Sequence, residues 1–231
     1  MELTDKNIAQ LYQFTQDHYV DWYDLQTELV DHLANDIEEI WKENPSISFE
    51  KARDISFKKF GIFGFGEIVE KKQNALSKQY WLMIWKEFKS FFKLPKIILT
   101  LFFMVGTYYL FSFFNNSYFI FSLFLISMAV LPIYKAIVVV RKMKSRAKKT
   151  KKKWLIDGAL FHSGIYPYIV LCPWVNITDL FLRNSPFTTN QLLFLSITFV
   201  TFNLLFYIST EIVRPKVQKK MTEQFPEYAL G

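Results

Sequence analysis

Arg141 to Lys153 reads RKMKSRAKKTKKK. Nine of its thirteen residues are Lys or Arg and none is acidic. Such a stretch cannot enter a bilayer, where each Lys or Arg costs about 2.5–3.5 kcal/mol at the centre of a helix. It marks the membrane face on which it stays, and the apolar stretches on either side take their orientation from it.

Toward the N-terminus, Tyr118 to Val140 is apolar, with Pro132 as an expected kink and Lys135 near enough to the end to snorkel. Asn115, Asn116 and Ser117 make a turn, and before them Ile97 to Phe114 runs 18 residues without a charge. As a helix that is about 27 Å, just enough for the hydrocarbon core. These two stretches predict one hairpin. Toward the C-terminus, Leu155 to Val175 and Leu192 to Ile212 predict a second. The former carries Asp157, His162, Pro167 and Pro173 and is expected to face other helices more than lipid. The latter has twelve Leu, Ile, Phe or Val among its first seventeen residues.

Lys86, Lys89, Lys93 and Lys96 precede the first stretch, and Arg214, Lys216, Lys219 and Lys220 follow the last. The opposite turns hold only Arg183. The positive-inside rule therefore predicts cytoplasmic N- and C-termini around a cytoplasmic basic loop, 141–153.

Composition agrees with lipid contact. Apolar residues make up 51% of 231 residues and aromatics 19%, with 25 Phe but only 7 Gly and 8 Pro. The net charge of +7 conceals an asymmetry. Residues 1–92 hold 11 basic and 16 acidic side chains, whereas residues 93–231 hold 17 and 5. The single cysteine, Cys172, excludes an internal disulfide framework. The start, MELTDKN, lacks the basic and apolar regions of a signal peptide, so the head is expected to stay where it is made.

The acidic head reads as three short helices. Thr4 and Asp5 begin the first, with Ile8, Leu11 and Tyr12 on its apolar side. A stronger one is predicted from Trp22 to Lys42, because Leu25, Leu29, Leu33, Ile37, Ile40 and Trp41 share a face. Asn44 and Pro45 end it. Ser48 caps a third helix bearing Phe49, Ala52, Phe57 and Phe60, and Gly61 stands at its stop. The following GIFGFG, Gly61 to Gly66, has neither the order of a dinucleotide fingerprint nor a preceding strand, and reads as a turn.

From Glu67 the helical pattern resumes. Trp81, Ile84, Trp85, Phe88, Phe91 and Phe92 cluster opposite Lys86, Lys89 and Lys93. That suits a helix lying in the membrane interface; packing of the same face on the head is the alternative. The expected fold is thus all-α: a small cytoplasmic head (1–66), an interfacial amphipathic helix (67–96), and four transmembrane helices as two hairpins (97–231).

Candidate chemistry is sparse. Glu28, His32 and Asp36 follow at four-residue spacing along one helix edge, with Asp31 beside them. His and carboxylates suit divalent ions, but one helix edge rarely completes a site, so a solvated acidic stripe that docks a partner is favoured over metal. Asp157, His162, Asn203 and Glu211 are the intramembrane polar candidates. Asp157 and Glu211 fall within reach of Lys135, Arg141 and Arg214, which predicts interfacial ion pairs. Ser196, Asn203 and Thr210 repeat every seven residues as a packing stripe. Lys148, Lys149, Lys151, Lys152 and Lys153, with Trp81 and Trp85, are expected to contact anionic lipid headgroups, at about 1 kcal/mol per Lys or Arg near the surface. Nucleic acid is disfavoured, because its readers interleave aromatic or amide groups. No serine elbow, zinc motif or paired-acid motif of a membrane enzyme occurs, so no catalytic, cofactor or metal residue is expected.

The segment YDLQTELVDHLANDIEEIWKENPSISFEKARDISFKKFG, Tyr23 to Gly61, resembles the HAAS-like helical head of bacterial membrane proteins associated with PadR-type regulators, and the similar prefix domain of some permeases. The shared features are Glu28, Leu29, Asp31 and His32 on one helix, a connector, and Ala52 leading to Phe60 and Gly61 on the next. The connector NPSIS lacks a glycine, and a GFG turn follows the third helix; both depart from the commoner pattern. The Phe- and Lys-rich character is also similar to multi-pass proteins of Bacteroidetes. The resemblance implies a cytoplasmic sensing or docking module on an inner-membrane anchor.

Together these readings lead to a non-enzymatic inner-membrane regulatory or scaffold protein whose head docks a protein partner, with oligomerisation left open. A transporter or transporter-accessory subunit is the alternative, and a membrane enzyme a third. Because the first 56 residues hold 13 acidic and 4 basic side chains, a weak, salt-sensitive contact between head and basic loop is also expected.

Overall fold

The computed structural model describes residues 2–164 and 186–230. Among these the regular structure is entirely helical: α1 (Asp5–Asp17), α2 (Tyr23–Glu43), α3 (Phe49–Lys58), α4 (Gly66–Ser90), α5 (Lys96–Phe114), α6 (Ser117–Leu125), α7 (Leu131–Thr150), α8 (Leu155–Gly164), α9 (Thr189–Tyr207) and α10 (Arg214–Gln224). A π-helical stretch, Ile126–Val130, joins α6 to α7, and another, Ile208–Val213, joins α9 to α10. Contacts divide the chain into two compact units, Met1–Leu76 with Arg146–Gly158, and Ser77–Ser145 with Ala159–Gly231.

The first unit is the head. Thr4 caps α1 through its side chain and exchanges a reciprocal bond with Asn7, and Ser48 accepts the Lys51 N–H to begin α3. The apolar stripe of α2 is the spine of the core. Leu25, Leu29, Leu33 and Ile37 are buried against Leu11 of α1, Ala52 of α3 and Phe65, each worth about 1.5–3 kcal/mol by removal from water. Trp41 closes one end, its indole N–H donating to the Ile47 carbonyl at 2.9 Å. The turn after α3 depends on two glycines with positive φ, Gly61 at +80° and Gly64 at +53°. A Cβ on Gly64 would stand 2.9 Å from the Phe57 ring, so only glycine lets that turn close on the aromatic cluster of Phe57, Phe60 and Phe65.

The second unit holds the apolar helices. Among the described residues, three helices are long and apolar enough to cross a membrane: Lys96–Phe114, Tyr118–Thr150 and Thr189–Gln224. The fourth expected stretch, 155–175, is described only as far as Gly164; Pro167, Cys172, Pro173 and Arg183 lie outside the described residues. In this unit Phe111, Ile120, Phe124, Met128, Leu192 and Leu195 form a buried cluster between α5, α6 and α9. Much of α5 is bare apolar surface, with Phe102 69% and Phe113 82% exposed, as a lipid-facing wall requires.

Both π turns have a local cause. Each lies where the carbonyl four residues before a proline would meet the ring: residue 128 for Pro132 and residue 211 for Pro215. Widening the turn relieves that clash. Where the sequence predicts a kink at Pro132, the structure shows a π turn preceding the proline.

The basic run differs most from expectation. It is not a loop for most of its length: α7 continues through Thr150, because Lys, Arg and Ala are good helix formers and no Gly or Pro interrupts them. Lys151, with φ +54°, ends the helix.

Candidate functional site

The head offers two features, both within the first unit. One is a shallow depression of about 330 Å³ lined by Glu28, Leu29, His32, Asp36, Lys59, Phe60 and Ile68. Three of the four residues singled out on α2 therefore share one site, and Asp31 lies exposed just outside it. The floor is apolar and the rim ionic. Glu28 pairs with Lys72, and Asp36 forms an ion pair with the Lys59 ammonium and accepts a hydrogen bond from the Ser56 hydroxyl, both at 3.0 Å. Two carboxylates are thereby fixed by neighbours on other elements, while His32 stands exposed between them. Among the described residues there is no cluster of three or more His, Cys, Asp or Glu able to hold a metal ion.

Ile62 and Phe63, at the tip of the Gly61–Gly64 turn, are 99% and 80% exposed. Sequence reasoning passed over them, because an apolar residue in a short aromatic turn reads as core. The signal that could have found them is the spacing of the flanking glycines, which turns the two intervening side chains outward.

The second feature is the seat of the basic run. Arg146–Gly158 folds as part of the head. Trp22 and Lys153 form an isolated parallel bridge, with the Tyr23 N–H donating to the Lys153 carbonyl at 2.8 Å. The carboxylate of Asp24 accepts the backbone N–H groups of Leu155 at 2.9 Å and Ile156 at 3.3 Å, so a residue in the first turn of α2 caps the start of α8. Leu155 is buried in the head core. The Trp154 ring meets Tyr23 edge-on at 5.5 Å, and the Lys152 ammonium lies 3.5 Å over the Tyr23 ring. Lys153 pairs with Asp21 at 2.7 Å.

Electrostatics follow from burial. Desolvation pushes the Asp24 carboxyl above the usual range, against the opposing pull of the N–H groups of Leu155 and Ile156. Burial also raises the Tyr12 phenol, which donates to Thr27 at 3.3 Å.

The lipid-contact candidates divide accordingly. Lys148, Lys149 and Lys151 are exposed, whereas Lys152 and Lys153 are engaged with Tyr23 and Asp21. The head and the basic run do touch, but through backbone bonds, a cap and core burial. The Lys153–Asp21 pair is an ionic component of the expected kind within that contact.

No protein family, curated protein or solved structure matches this chain.

The intramembrane candidates each have partners of their own. Asp157 is buried in the first unit and forms a pair with Arg146, at 2.7 and 3.0 Å, a cation of the basic run itself and none of the three expected. Glu211, in the second unit, pairs with Lys135, as expected. His162 is exposed, edge-on to Phe161. The Asn203 amide donates to the Phe199 carbonyl at 2.8 Å, and Ser196 and Thr210 likewise return their hydroxyls to carbonyls of their own helix.

On the second half of α4, Tyr80 and Ile84 are buried within the second unit, and the Tyr80 hydroxyl donates to the Ser209 carbonyl at 2.7 Å. Trp81 and Trp85 are 42% and 51% exposed, and the Lys89 ammonium lies 5.5 Å from the Trp85 ring. The aromatic face is thus divided: one edge packs on protein, and the tryptophan edge remains uncovered beside lysines.

Proposed function

We infer that this chain is a non-enzymatic regulatory protein of the bacterial inner membrane, with both termini cytoplasmic, whose HAAS-like head docks a protein partner. The depression on α2 carries this reading. Its apolar floor of Leu29, Phe60 and Ile68 inside a rim of Glu28, Asp36 and Lys59 has the anatomy of a protein interface, an apolar centre within a polar border. Asp31 and His32 add exposed polar contacts, and the outward Ile62 and Phe63 supply aliphatic and aromatic anchors on the same unit. The seating of Arg146–Gly158 in the head supports a regulatory role. Occupancy of the head is linked through Asp24 and Leu155 to the chain segment between two apolar stretches.

The transporter alternative draws less support. It needs Asp157, His162, Asn203 and Glu211 along one route, and Asp157 and Glu211 are each neutralised by separate cations.

The test is photo-crosslinking in the full-length chain in its native membranes, with the reactive group at position 32. A discrete protein adduct, abolished by Glu28→Arg and unaffected by Glu50→Arg, is expected. Absence of any protein adduct from positions 32 and 63 overturns the docking reading.

A further inference from the structure

Beyond the head, the second unit contains a groove of about 610 Å³ between α5 and α9, within the roughly 300–1,000 Å³ range of ligand pockets. One wall is a single face of α5: Lys96, Leu99, Thr100, Phe103 and Thr107. The other runs antiparallel to it on α9, where Val200, Asn203 and Tyr207 face that wall. From Lys96 to Thr107 the groove follows about 16 Å of helix at 1.5 Å per residue. That is close to half of a hydrocarbon core of about 30 Å, the depth of one leaflet.

The donors of its threonines and of Asn203 are spent on backbone carbonyls. Thr100 donates to the carbonyls of Lys96 and Phe91, Thr107 to those of Phe103 and Met104, and Asn203 to that of Phe199. The walls are thus chiefly apolar along their length, with the Tyr207 phenol and the Asn203 amide as uncharged polar groups on the α9 side, and among the lining residues the charge, Lys96, stands at one end. There the exposed Lys96 ammonium lies 4.6 Å over the Phe91 ring and 3.2 Å from the Ser90 hydroxyl. Ser90 also lines an adjoining depression with Lys89 and Lys93. The carboxylate in that depression, Glu87, is held by Lys216, whose ammonium keeps it below the usual carboxylate range and cancels its charge. A net cationic mouth at the head of a leaflet-deep apolar groove is complementary to an amphiphile with one anionic headgroup and a long chain.

We propose that the α5–α9 groove holds an acyl chain of an anionic glycerophospholipid from the adjacent leaflet, with its phosphate at Lys96 and Lys93. The occupant is a bilayer lipid because the cation and the chain groove are spaced as headgroup and chain are spaced within a leaflet. The site is distinct from the basic run and does not depend on the docking reading of the head.

Native mass spectrometry of the purified full chain, loaded with phosphatidylglycerol or phosphatidylcholine, tests it. One phosphatidylglycerol retained per chain, with at least a tenfold preference over phosphatidylcholine, is expected. Lys96→Gln with Lys93→Gln should abolish the preference while leaving some lipid bound, and Val200→Trp should displace either lipid. Equal retention of the two lipids by the unaltered chain overturns the proposal, as does retention of a free fatty acid in their place. A measurement without any substitution uses phosphatidylglycerol with a photoreactive chain. Adducts should map to Phe103 and Val200, and labelling spread evenly over Leu101, Phe102 and Val105 overturns it.

Discussion

Asp24 and Leu155 are 131 residues apart in sequence, yet the Asp24 carboxylate accepts the Leu155 backbone N–H at 2.9 Å. A cap formed across such a separation ties the start of α8 to the first turn of α2. Replacing Asp24 by Ala leaves two N–H groups of α8 without that acceptor and should cost about 0.5–2 kcal/mol. Asp24→Asn keeps an acceptor oxygen and should cost less. Thermal unfolding and protection of the 150–158 segment from trypsin, both in the full chain, are the readouts.

The pH dependence at Asp24 has a defined sign. Burial raises its folded-state pKa above the unfolded value. Its contribution to stability is therefore fully present below the ordinary carboxylate range and is lost as pH rises through the raised folded value. Glu87 behaves oppositely. Lys216 lowers its pKa, so its contribution is present above the ordinary range and is lost as pH falls through the lowered value. Titrating unfolding in Asp24→Asn and Lys216→Gln should remove each component separately.

Leu155 is 3% exposed in the head core, whereas Leu101 is 52% exposed on α5. Leu155→Ala should destabilise the head by about 2–5 kcal/mol, and Leu101→Ala should leave its unfolding unchanged. Hydrogen exchange of α1 and α2 reports the difference.

Arg146 and Asp157 have side chains 11% and 5% exposed. Removing one partner, as in Asp157→Leu, takes the carboxylate from a buried guanidinium and should cost about 3–5 kcal/mol, while the double change Arg146→Met with Asp157→Leu should recover most of that loss. The exposed Lys153–Asp21 pair, by contrast, should contribute about 0–1 kcal/mol. Lys153→Gln should therefore leave the head and segment associated in high salt as in low, measured by the same tryptic protection.

Tyr80→Phe removes a buried hydroxyl that donates to Ser209. The expected loss is about 1 kcal/mol for the bond, more if the Ser209 carbonyl stays dry. A lowered unfolding midpoint in detergent, restored by no other single change on the tryptophan edge of α4, checks it.

The sequence was readable where one signal sufficed. The stripe of Leu25, Leu29, Leu33 and Ile37 predicts a helix from Trp22 to Lys42 against an observed Tyr23–Glu43, and Thr4 and Ser48 cap as their side chains dictate. It was unreadable where two environments give one pattern. Leu155 and Ile156 are apolar and adjoin an apolar run, and periodicity does not distinguish burial in lipid from burial in a head core. Nor does a run of lysines distinguish a solvated helix from a loop, which is why α7 reaches Thr150. The depression of Glu28, His32 and Asp36 was legible on its α2 edge alone. Its other edge, Lys59, Phe60 and Ile68, comes from tertiary packing.

Because the head core includes Leu155, the head is a discontinuous fold whose last piece is made late. Its first 76 residues leave the ribosome well before Trp154 and Leu155 exist, and the intervening chain contains the first two apolar helices. At about 5–20 residues per second, that interval is on the order of ten seconds. A nascent head with its seat for the segment still vacant therefore coexists with the emerging apolar helices, and its completion reports that the chain between has been made and returned to the same place.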